Sequence, residues 1–297
     1  MKFFLPLLLA ALAPSITDAQ AVIQLHGSGT TNPQKCYWDI MDKLSKQAKL
    51  PVRMTYRGVG SGTGQKEFIG TGVMAPYNDF GSGDIPLDQA QFDSFAGTEI
   101  YHLPIMMGAI SFFHSVPTDG KPLNLNPCVL AKIFNREITD WSDPAIIELN
   151  PDLNLASPFE ITVARRVKGS SSTASITSYL NYACSSEWSE DLVGKTIDWH
   201  VDTIGCEGSG GMTDCIRETR GTIGYIDAGH GHAEGLSEIA LRNADGNYLT
   251  SLESKERDGI IKAASASAGV PSNLNETFAN VNLLNQVCPE ISSKLST

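Results

Sequence analysis

The chain of 297 residues is short of basic side chains: 22 Lys and Arg stand against 33 Asp and Glu, and the formal net charge is −11. This balance argues against a nucleic acid or an anionic membrane as a partner, because both repel an acidic protein. It also limits anion binding, since hydrogen-bond donors close to the anion must then overcome the field of the whole molecule. We therefore expect no nucleic-acid partner and no membrane insertion of the mature chain.

Long hydrophobic runs are also missing beyond the first residues. The apolar run from Phe3 to about Leu12 follows a lysine and precedes small residues around Ala19. It falls short of the ~20 residues that a membrane-spanning helix needs. We therefore predict a signal peptide over residues 1–20 and a mature protein that is secreted, either extracellular or periplasmic. A membrane anchor is the weaker alternative.

Closely spaced cysteine pairs of the zinc-site kind are absent, so we expect no metal. In an exported chain the cysteines predict disulfides instead, because the secretory route is oxidising. Cys206 and Cys215 flank a short glycine-rich loop and are the first pair that we propose. The sequence Asn-Glu-Thr at Asn275 predicts a glycan acceptor if the host is eukaryotic. The six cysteines are Cys36, Cys128, Cys184, Cys206, Cys215 and Cys288.

Signatures of hydrolases and nucleotide-binding proteins are missing as well. No serine-glycine run has the G-x-S-x-G spacing of a nucleophile elbow, and "VKGSSST" at 167–173 reverses the Gly-Lys order of a P-loop. His230 and His232 lie in "GHGHAEG", where no third metal ligand is specified, so we interpret this stretch as an exposed loop. We therefore expect no catalytic residue and no cofactor.

What the mature chain does contain is an alternation of short strand-like runs and amphipathic helical patterns, without linker or repeat. This order predicts an α/β fold with largely parallel sheets. The predicted strands are 21–27, 52–59, 101–113, 159–166 and 221–227, and the predicted helices are 32–48, 63–70, 126–135 and 172–183.

Three of the predicted strands end in loops rich in glycine and hydroxyl residues: "HGSGTTNP" at 26–33, "GSGTG" at 60–64 and "VKGSSST" at 167–173. Glycine permits a close backbone approach, and a Ser or Thr at a helix start leaves further N–H groups pointing outward. Such helix N-termini attract anions. One such loop is ordinary, but three predict a common anion site at the carboxyl ends of the strands.

Charged residues near these loops indicate which anion. Arg165 and Arg166 are adjacent on a strand and face opposite ways, so only one of them can point into a site. Asp84 follows another short run, and a carboxylate beside an anion is unfavourable unless the ligand donates a proton. It would favour hydrogen phosphate over fully ionised sulfate. A local turn cap is the alternative interpretation of Asp84.

Taken together, these stretches resemble the periplasmic phosphate-binding proteins of bacterial phosphate ABC transporters. The similarity runs from about residue 24 to about residue 227, and its most specific block is "IFNREITDWSDPAI". The resemblance implies a two-lobed type II fold with crossing hinge strands near 104–113 and Gly224. It implies one domain over 21–297, with lobe 1 at about 21–105 plus the C-terminal tail and lobe 2 at about 106–235. Cys288, in that tail, is then a candidate partner for Cys36.

The same resemblance implies a clamp of hydrogen-bond donors around one phosphate. Arg166 matches the arginine that neutralises the ligand, and Asp84 matches the acid that accepts its proton. Lys168 stands where an acid commonly holds the arginine, and Ser171 replaces a glycine, which could crowd the site if a positive φ is needed. The implied phosphate-binding residues are Thr31, Asn32, Ser61, Asp84, Arg166, Ser170, Ser171 and Ser172.

From these residues we expect a secreted monomer that captures inorganic phosphate. A membrane phosphate transporter is the partner that the resemblance implies. A secreted scaffold that kept the fold and lost the ligand is the main alternative, and a secreted phosphoester hydrolase is a weaker one.

Overall fold

The computed structural model describes residues 21–85, 87, 90–91, 100–103, 105–106, 108–155, 158–243 and 245–256. The predicted signal peptide, Asn275, Cys288 and the C-terminal tail lie outside the described residues. Within the described part, every helix is too short or too polar to cross a membrane.

Lobe 1 is a small parallel sheet covered by two helices. Its elements are β1 (Ile23–Gly29), α1 (Gln34–Gln47), β2 (Val52–Gly58), α2 (Ser61–Ile69) and β3 (Phe80–Ser82). The strands are parallel in the order β2-β1-β3. The buried apolar side chains between α1 and the sheet are Tyr37, Met41 and Tyr56.

Lobe 2 contains most of the apolar core. Its strands are β4 (Ile110–His114), β5 (Leu123–Leu125), β6 (Thr162–Arg166), β7 (Ile204–Cys206), β8 (Thr222–Asp227), β9 (Ser237–Arg242) and β10 (Tyr248–Leu249). Its helices are α3 (Pro127–Phe134), α4 (Pro144–Leu149), α5 (Ser171–Ala183), α6 (Gly208–Glu218), α7 (Ala228–Ala233) and α8 (Ser251–Glu256), with a 3-10 turn at Glu190–Leu192. The strands follow the order β10-β9-β4-β8-β6-β7, and β5 pairs with β9.

The sheet of lobe 2 is mixed, whereas the sequence predicted largely parallel pairing. β6 runs parallel to β7 and β8, but β4 is antiparallel to both β8 and β9. A continuous apolar run is typical of parallel strands that are buried on both faces, and β4 has this composition although both of its neighbours are antiparallel to it. The strand predicted over 101–113 begins only at Ile110, and none of the described residues between 101 and 109 is in a strand.

Two further features bear on the lobe bounds and on the hinge that the resemblance implied. The sheet of lobe 2 continues beyond residue 235 through β9 and β10. Residues 110–113 of the expected hinge lie inside this sheet, and Phe113 of β4 is paired with Gly224 of β8 and is fully buried. Bending there would break both the ladder and the core, so we place no hinge at these two residues.

Two disulfides brace lobe 2. Cys128 of α3 is bonded to Cys184 just after α5, and Cys206 of β7 is bonded to Cys215 of α6. The second bond confirms the pair proposed first from the sequence. Cys36 is exposed on α1 and forms no disulfide with a described residue.

The most specific sequence block serves the fold. Trp141 is fully buried and donates its indole N–H to the carbonyl of Gly221 at 2.8 Å. Arg136 donates to the carbonyl of Ile161 at 2.8 Å and pairs with Asp202 at 2.7 Å. These contacts tie the segment between α3 and α4 to β6 and β8, the strands that lead to the site.

Candidate functional site

The site lies where the two lobes meet at the carboxyl ends of their parallel strands, the position at which open α/β sheets place ligands. Loops after β1, β2 and β3 reach it from lobe 1, and loops after β6 and β7 reach it from lobe 2. Each of the loops after β2, β6 and β7 leads directly into a helix, so backbone N–H groups point toward the junction.

Asp84, just after β3, is the residue on which donors from both lobes converge. Its Oδ2 accepts hydrogen bonds from Thr30 Oγ1 at 2.7 Å, from Asn32 Nδ2 at 3.1 Å and from Ser171 Oγ of lobe 2. No described residue donates to its other oxygen. All three donors are distant in sequence, so Asp84 is not a local turn cap.

The hydroxyl row at the start of α5 faces lobe 1. Ser170 caps the helix by accepting from the N–H of Ser172 at 3.2 Å. Ser171 Oγ lies 3.0 Å from Ser61 Oγ, and Ser172 Oγ accepts from Asn32 Nδ2 at 3.4 Å. Ser171 does not have a positive φ, so the crowding considered for this replacement of glycine does not arise.

Arg166 ends β6 and is 5% exposed. Its backbone N–H donates to the hydroxyl of Tyr225 at 3.1 Å, but its side-chain Nε is buried and has no partner. Burial lowers the pKa of this guanidinium. Nη2 would lie 3.8 Å from a Cβ built on Gly60, which shows that the side chain reaches the loop after β2. A buried guanidinium with an unsatisfied N–H needs an acceptor of opposite charge.

Arg165 faces the other way, as strand alternation requires. Its Nε donates to Thr203 Oγ1 at 3.3 Å, at the edge strand β7. The two neighbouring arginines therefore occupy different environments, and only Arg166 is buried at the junction of the lobes.

Lys168 forms an ion pair with Glu207, the residue that precedes α6. The hydrogen bond and charge of Lys168 lower the pKa of the Glu207 carboxyl, and Arg166 lowers it further. Glu207 thus places a carboxylate near Arg166 from the loop after β7. The family commonly has its acid at the position of Lys168 instead.

Sequence reasoning missed two hydroxyl residues of the junction, Thr30 and Ser209. Ser209 is buried at the start of α6, and its Oγ lies 2.8 Å from Thr31 Oγ1 and 3.3 Å from Asn32 Oδ1. The loop "CEGSGG" at 206–211 has the same glycine and hydroxyl composition as the three predicted loops. That composition after a strand was the signal that could have found it.

The lobes touch through main chain as well as side chains. The N–H of Gly62 donates to the carbonyl of Gly169 at 3.2 Å, and Lys195 donates to Gln65 at 2.8 Å. A cleft of about 400 Å³ lies at the contact between Thr31 and Ser209, and both residues line it. The described lobes are therefore closed on each other at the site.

The two histidines of the glycine-rich stretch are not in an exposed loop, which corrects that interpretation. Residues 228–233 form α7, capped by Asp227, which accepts from the N–H of His230 at 2.9 Å. His230 lies 3.2 Å from Thr213, and His232 contacts Ser251 at 2.9 Å and Glu238 at 3.0 Å. Within the described part, no three His, Cys, Asp or Glu side chains are grouped to hold a metal.

A family profile described as the PBP superfamily domain matches residues 14–280. The chain belongs to the PBP superfamily. This PBP superfamily member is similar to a high affinity periplasmic phosphate-binding protein (PfluDING) bound with phosphate, with a TM-score of 0.66 and 18% identity, covering 88% of this chain and 72% of that one. A protein with bound phosphate from Clostridium perfringens gives a TM-score of 0.57 and 16% identity, covering 92% and 96%. These likenesses confirm the two-lobed type II fold.

Curated relatives are more similar in sequence. Phosphate-binding protein PstS of Methanocaldococcus jannaschii is 30% identical over 272 residues, which cover 87% of this PBP superfamily member and 66% of the relative. The protein of the same name from Haemophilus influenzae is 29% identical over 226 residues, covering 75% and 64%. The matches thus span slightly less than two thirds of these relatives. They confirm the resemblance to periplasmic phosphate-binding proteins.

Proposed function

We propose that this chain is a secreted phosphate-binding protein that holds one hydrogen phosphate between its two lobes for capture or uptake. The observation that carries the proposal is the buried, unpartnered Nε of Arg166, a side chain of lobe 2 that reaches the loop after β2 in lobe 1. In this proposal Arg166 supplies the charge and Asp84 accepts the proton. The hydrogen-bond donors are Thr31, Asn32, Ser61, Ser170, Ser171 and Ser172.

Hydrogen phosphate fits this set of groups chemically. Its oxygens accept hydrogen bonds from a guanidinium and from hydroxyl and N–H donors, which are strongest when one partner is charged. Its proton can be donated to the oxygen of Asp84 that no described residue contacts. Sulfate has no such proton and would meet the carboxylate as a like charge.

We infer binding rather than catalysis. The hydroxyls of Ser61 and Ser171 contact each other, and Ser171 also contacts Asp84. Within the described part no histidine contacts either serine, so neither belongs to a serine–histidine pair of the kind that activates a nucleophile. Release of phosphate from an ester by the purified protein would overturn this inference.

The partners follow from the relatives and from the resemblance. We propose a monomer in the extracellular or periplasmic space that delivers phosphate to a membrane phosphate transporter. Light scattering of the purified mature chain tests the monomer. Phosphate-dependent association with detergent-solubilised transporter from the same host tests the delivery, and association that is equal with and without phosphate would contradict it.

Thermal unfolding with phosphate, sulfate or chloride at matched ionic strength tests the binding proposal. A ligand that binds only the folded state stabilises by mass action, about 2.7 kcal/mol at a hundredfold excess over Kd. We expect a higher Tm with phosphate alone. Equal midpoints would instead favour a scaffold that has lost its ligand.

The two neighbouring arginines provide a matched pair of variants. Removing one partner of a buried charged contact costs about 2–5 kcal/mol, so Arg166→Ala should abolish the phosphate-dependent rise in Tm. Arg165→Ala removes the same charge one residue away and should retain it. If only Arg165→Ala loses the response, the assignment of the charge to Arg166 is wrong.

A further inference from the structure

A buried amide side chain lies next to the loop that carries Asp84. Gln65 is in the second turn of α2 and is 5% exposed. It follows Ser61 by four residues, so both side chains project from the same face of the helix. Ser61 on this face already contacts Ser171 of lobe 2. A buried amide needs partners for its oxygen and for its N–H groups, and the proposed phosphate clamp does not supply them.

The nitrogen of Gln65 holds the main chain beside Asp84. Nε2 donates to the carbonyl of Ile85, the residue after Asp84, at 2.9 Å. A Cβ built on Gly83, the residue before Asp84, would lie 3.4 Å from the same Nε2. The amide therefore lies against the chain on both sides of Asp84, where it restricts the direction in which the carboxylate points.

The oxygen of the same amide accepts a hydrogen bond from the other lobe. Lys195 follows the 3-10 turn of lobe 2 and donates from Nζ to Gln65 Oε1 at 2.8 Å. The main-chain carbonyl of Lys195 accepts from the N–H of Ser170 at 2.9 Å, at the cap of α5. Lys195 therefore supports the hydroxyl row of lobe 2 with its main chain and reaches lobe 1 with its side chain.

The chemistry of the two partners fixes the orientation of the amide. An ammonium group only donates and a main-chain carbonyl only accepts, so the oxygen of Gln65 faces Lys195 and its nitrogen faces Ile85. Glutamate at this position would keep the acceptor and lose the donor, whereas methionine would lose both. Substitution can therefore separate the two halves of the bridge.

We propose that Gln65 is a positioning residue for phosphate selectivity, which acts by holding the chain at Asp84 while it binds the closed lobe 2 through Lys195. The inference rests on the proposed function, in which Asp84 accepts the proton of hydrogen phosphate. The nitrogen of Gln65 sets the place of the carboxylate, and its oxygen stabilises the closed state. Gln65 itself does not bind the ligand.

Titration calorimetry with phosphate and with sulfate, at one pH and ionic strength, tests this role. Gln65→Met and Gln65→Glu should each lower the ratio of the sulfate Kd to the phosphate Kd about two- to fivefold, because both lose the bond to Ile85. If Gln65→Met does not fold, Gln65→Glu provides the same test. An unchanged ratio in the folded variants would overturn the proposal.

Lys195→Met tests the other half of the bridge. It removes the contact between the lobes but leaves the bond from Gln65 to Ile85, so both anions should bind about three- to tenfold more weakly. The ratio of the two dissociation constants should not change. A fall in the ratio as large as that of Gln65→Met would show that selectivity follows from closure in general, and the proposal would then be wrong.

A double variant distinguishes positioning from a general loss of structure. In the Asp84→Asn background there is no charge left to position, so Gln65→Met should lower the ratio no further. A second fall, of the same size as in the wild-type background, would mean that Gln65 acts independently of Asp84. That result would also overturn the proposal.

Lys35→Met is the matched control for the contact between the lobes. Lys35 of α1 donates to Glu234 of lobe 2 at 3.0 Å, but its side chain is 67% exposed and far less effective as a partner. This variant should leave the ratio unchanged. If the wild-type protein binds neither anion, the proposed function fails. If it prefers phosphate and the Gln65 variants keep that preference, only the positioning role fails.

Discussion

Replacement of Asp84 by asparagine should convert a selective site into a permissive one. Asn keeps an oxygen for the donors of Thr30, Asn32 and Ser171 but removes the charge that accepts a proton from hydrogen phosphate. A hydrogen bond to a charged group is worth about 1 kcal/mol more than a neutral one. Since Asp84 is exposed, we take this lower figure, which corresponds to about fivefold weaker binding of phosphate relative to sulfate.

Sulfate cannot make this hydrogen bond, because it has no proton to donate. A carboxylate about 4 Å from an anion in water costs roughly 1 kcal/mol per unit charge. Hydrogen phosphate and sulfate carry the same charge, so the relief on removing the carboxylate cancels in the ratio of their dissociation constants. Discrimination between phosphate and sulfate should therefore fall by the hydrogen-bond contribution, about fivefold.

Titration calorimetry of both anions at one ionic strength and pH measures this ratio. Asp214→Asn is the matched control, because the variant removes the same charge from a residue that lines the neighbouring cleft. The control should leave the ratio unchanged. If Asp84→Asn also leaves it unchanged, Asp84 does not contact the ligand and selectivity has another origin.

Three further outcomes follow from the described residues. Ser209→Ala removes a contact between the lobes that exists only when they are closed. Phosphate should therefore dissociate about two- to tenfold faster in stopped-flow release, as the loss of a hydrogen bond of about 0.5–1.5 kcal/mol implies. An unchanged rate would show that Ser209 does not stabilise the closed state. A disulfide that closes a longer loop restricts the unfolded chain more. Serine replacement of the Cys128–Cys184 disulfide, with a sequence separation of 56, should therefore lower the free energy of unfolding by about 4 kcal/mol, against about 3 kcal/mol for the Cys206–Cys215 disulfide, with a sequence separation of 9. The reverse order in urea unfolding would contradict this argument. His114 is buried, and burial lowers its pKa from 6.5 to about 4, so the unfolded chain binds a proton that the folded chain does not between these values. Stability should fall as pH drops through this window, and His114→Asn should remove about 3 kcal/mol of that loss between pH 7 and pH 4; equal losses in both proteins would show that His114 is protonated without unfolding.

Local composition was enough to predict several of the loops that the structure brings together at the junction of the lobes. Loops rich in glycine and hydroxyls after strands led to Ser61 and to residues 170–172, because helix starts and close backbone approach require those residue types. Alternation along β6 showed that only one of Arg165 and Arg166 could face the junction, and the resemblance selected Arg166. Such features depend on a few neighbouring residues, which is why the sequence was sufficient.

Features that depend on distant segments were not predictable in this way. The contact of Ser171 with Asp84 joins the two lobes, and neither residue's neighbours indicate it. The antiparallel pairing of β4 with β8 is decided by the course of the chain between them, not by their apolar composition. Two glycines in α7 concealed a helix, since glycine is unfavourable in helix interiors; only its cap by Asp227 could have indicated it.

The contact between Gly62 and Gly169 limits how closely the two lobes can approach each other. A Cβ on Gly62 would lie 3.2 Å from the Cα of Gly169, so main chain meets main chain with no side chain between them. Side chains can rotate to enlarge a cavity, but two backbones in contact cannot. The closest approach of the two lobes is therefore set by peptide geometry, and in the proposed function this distance limits the size of the anion that they can enclose.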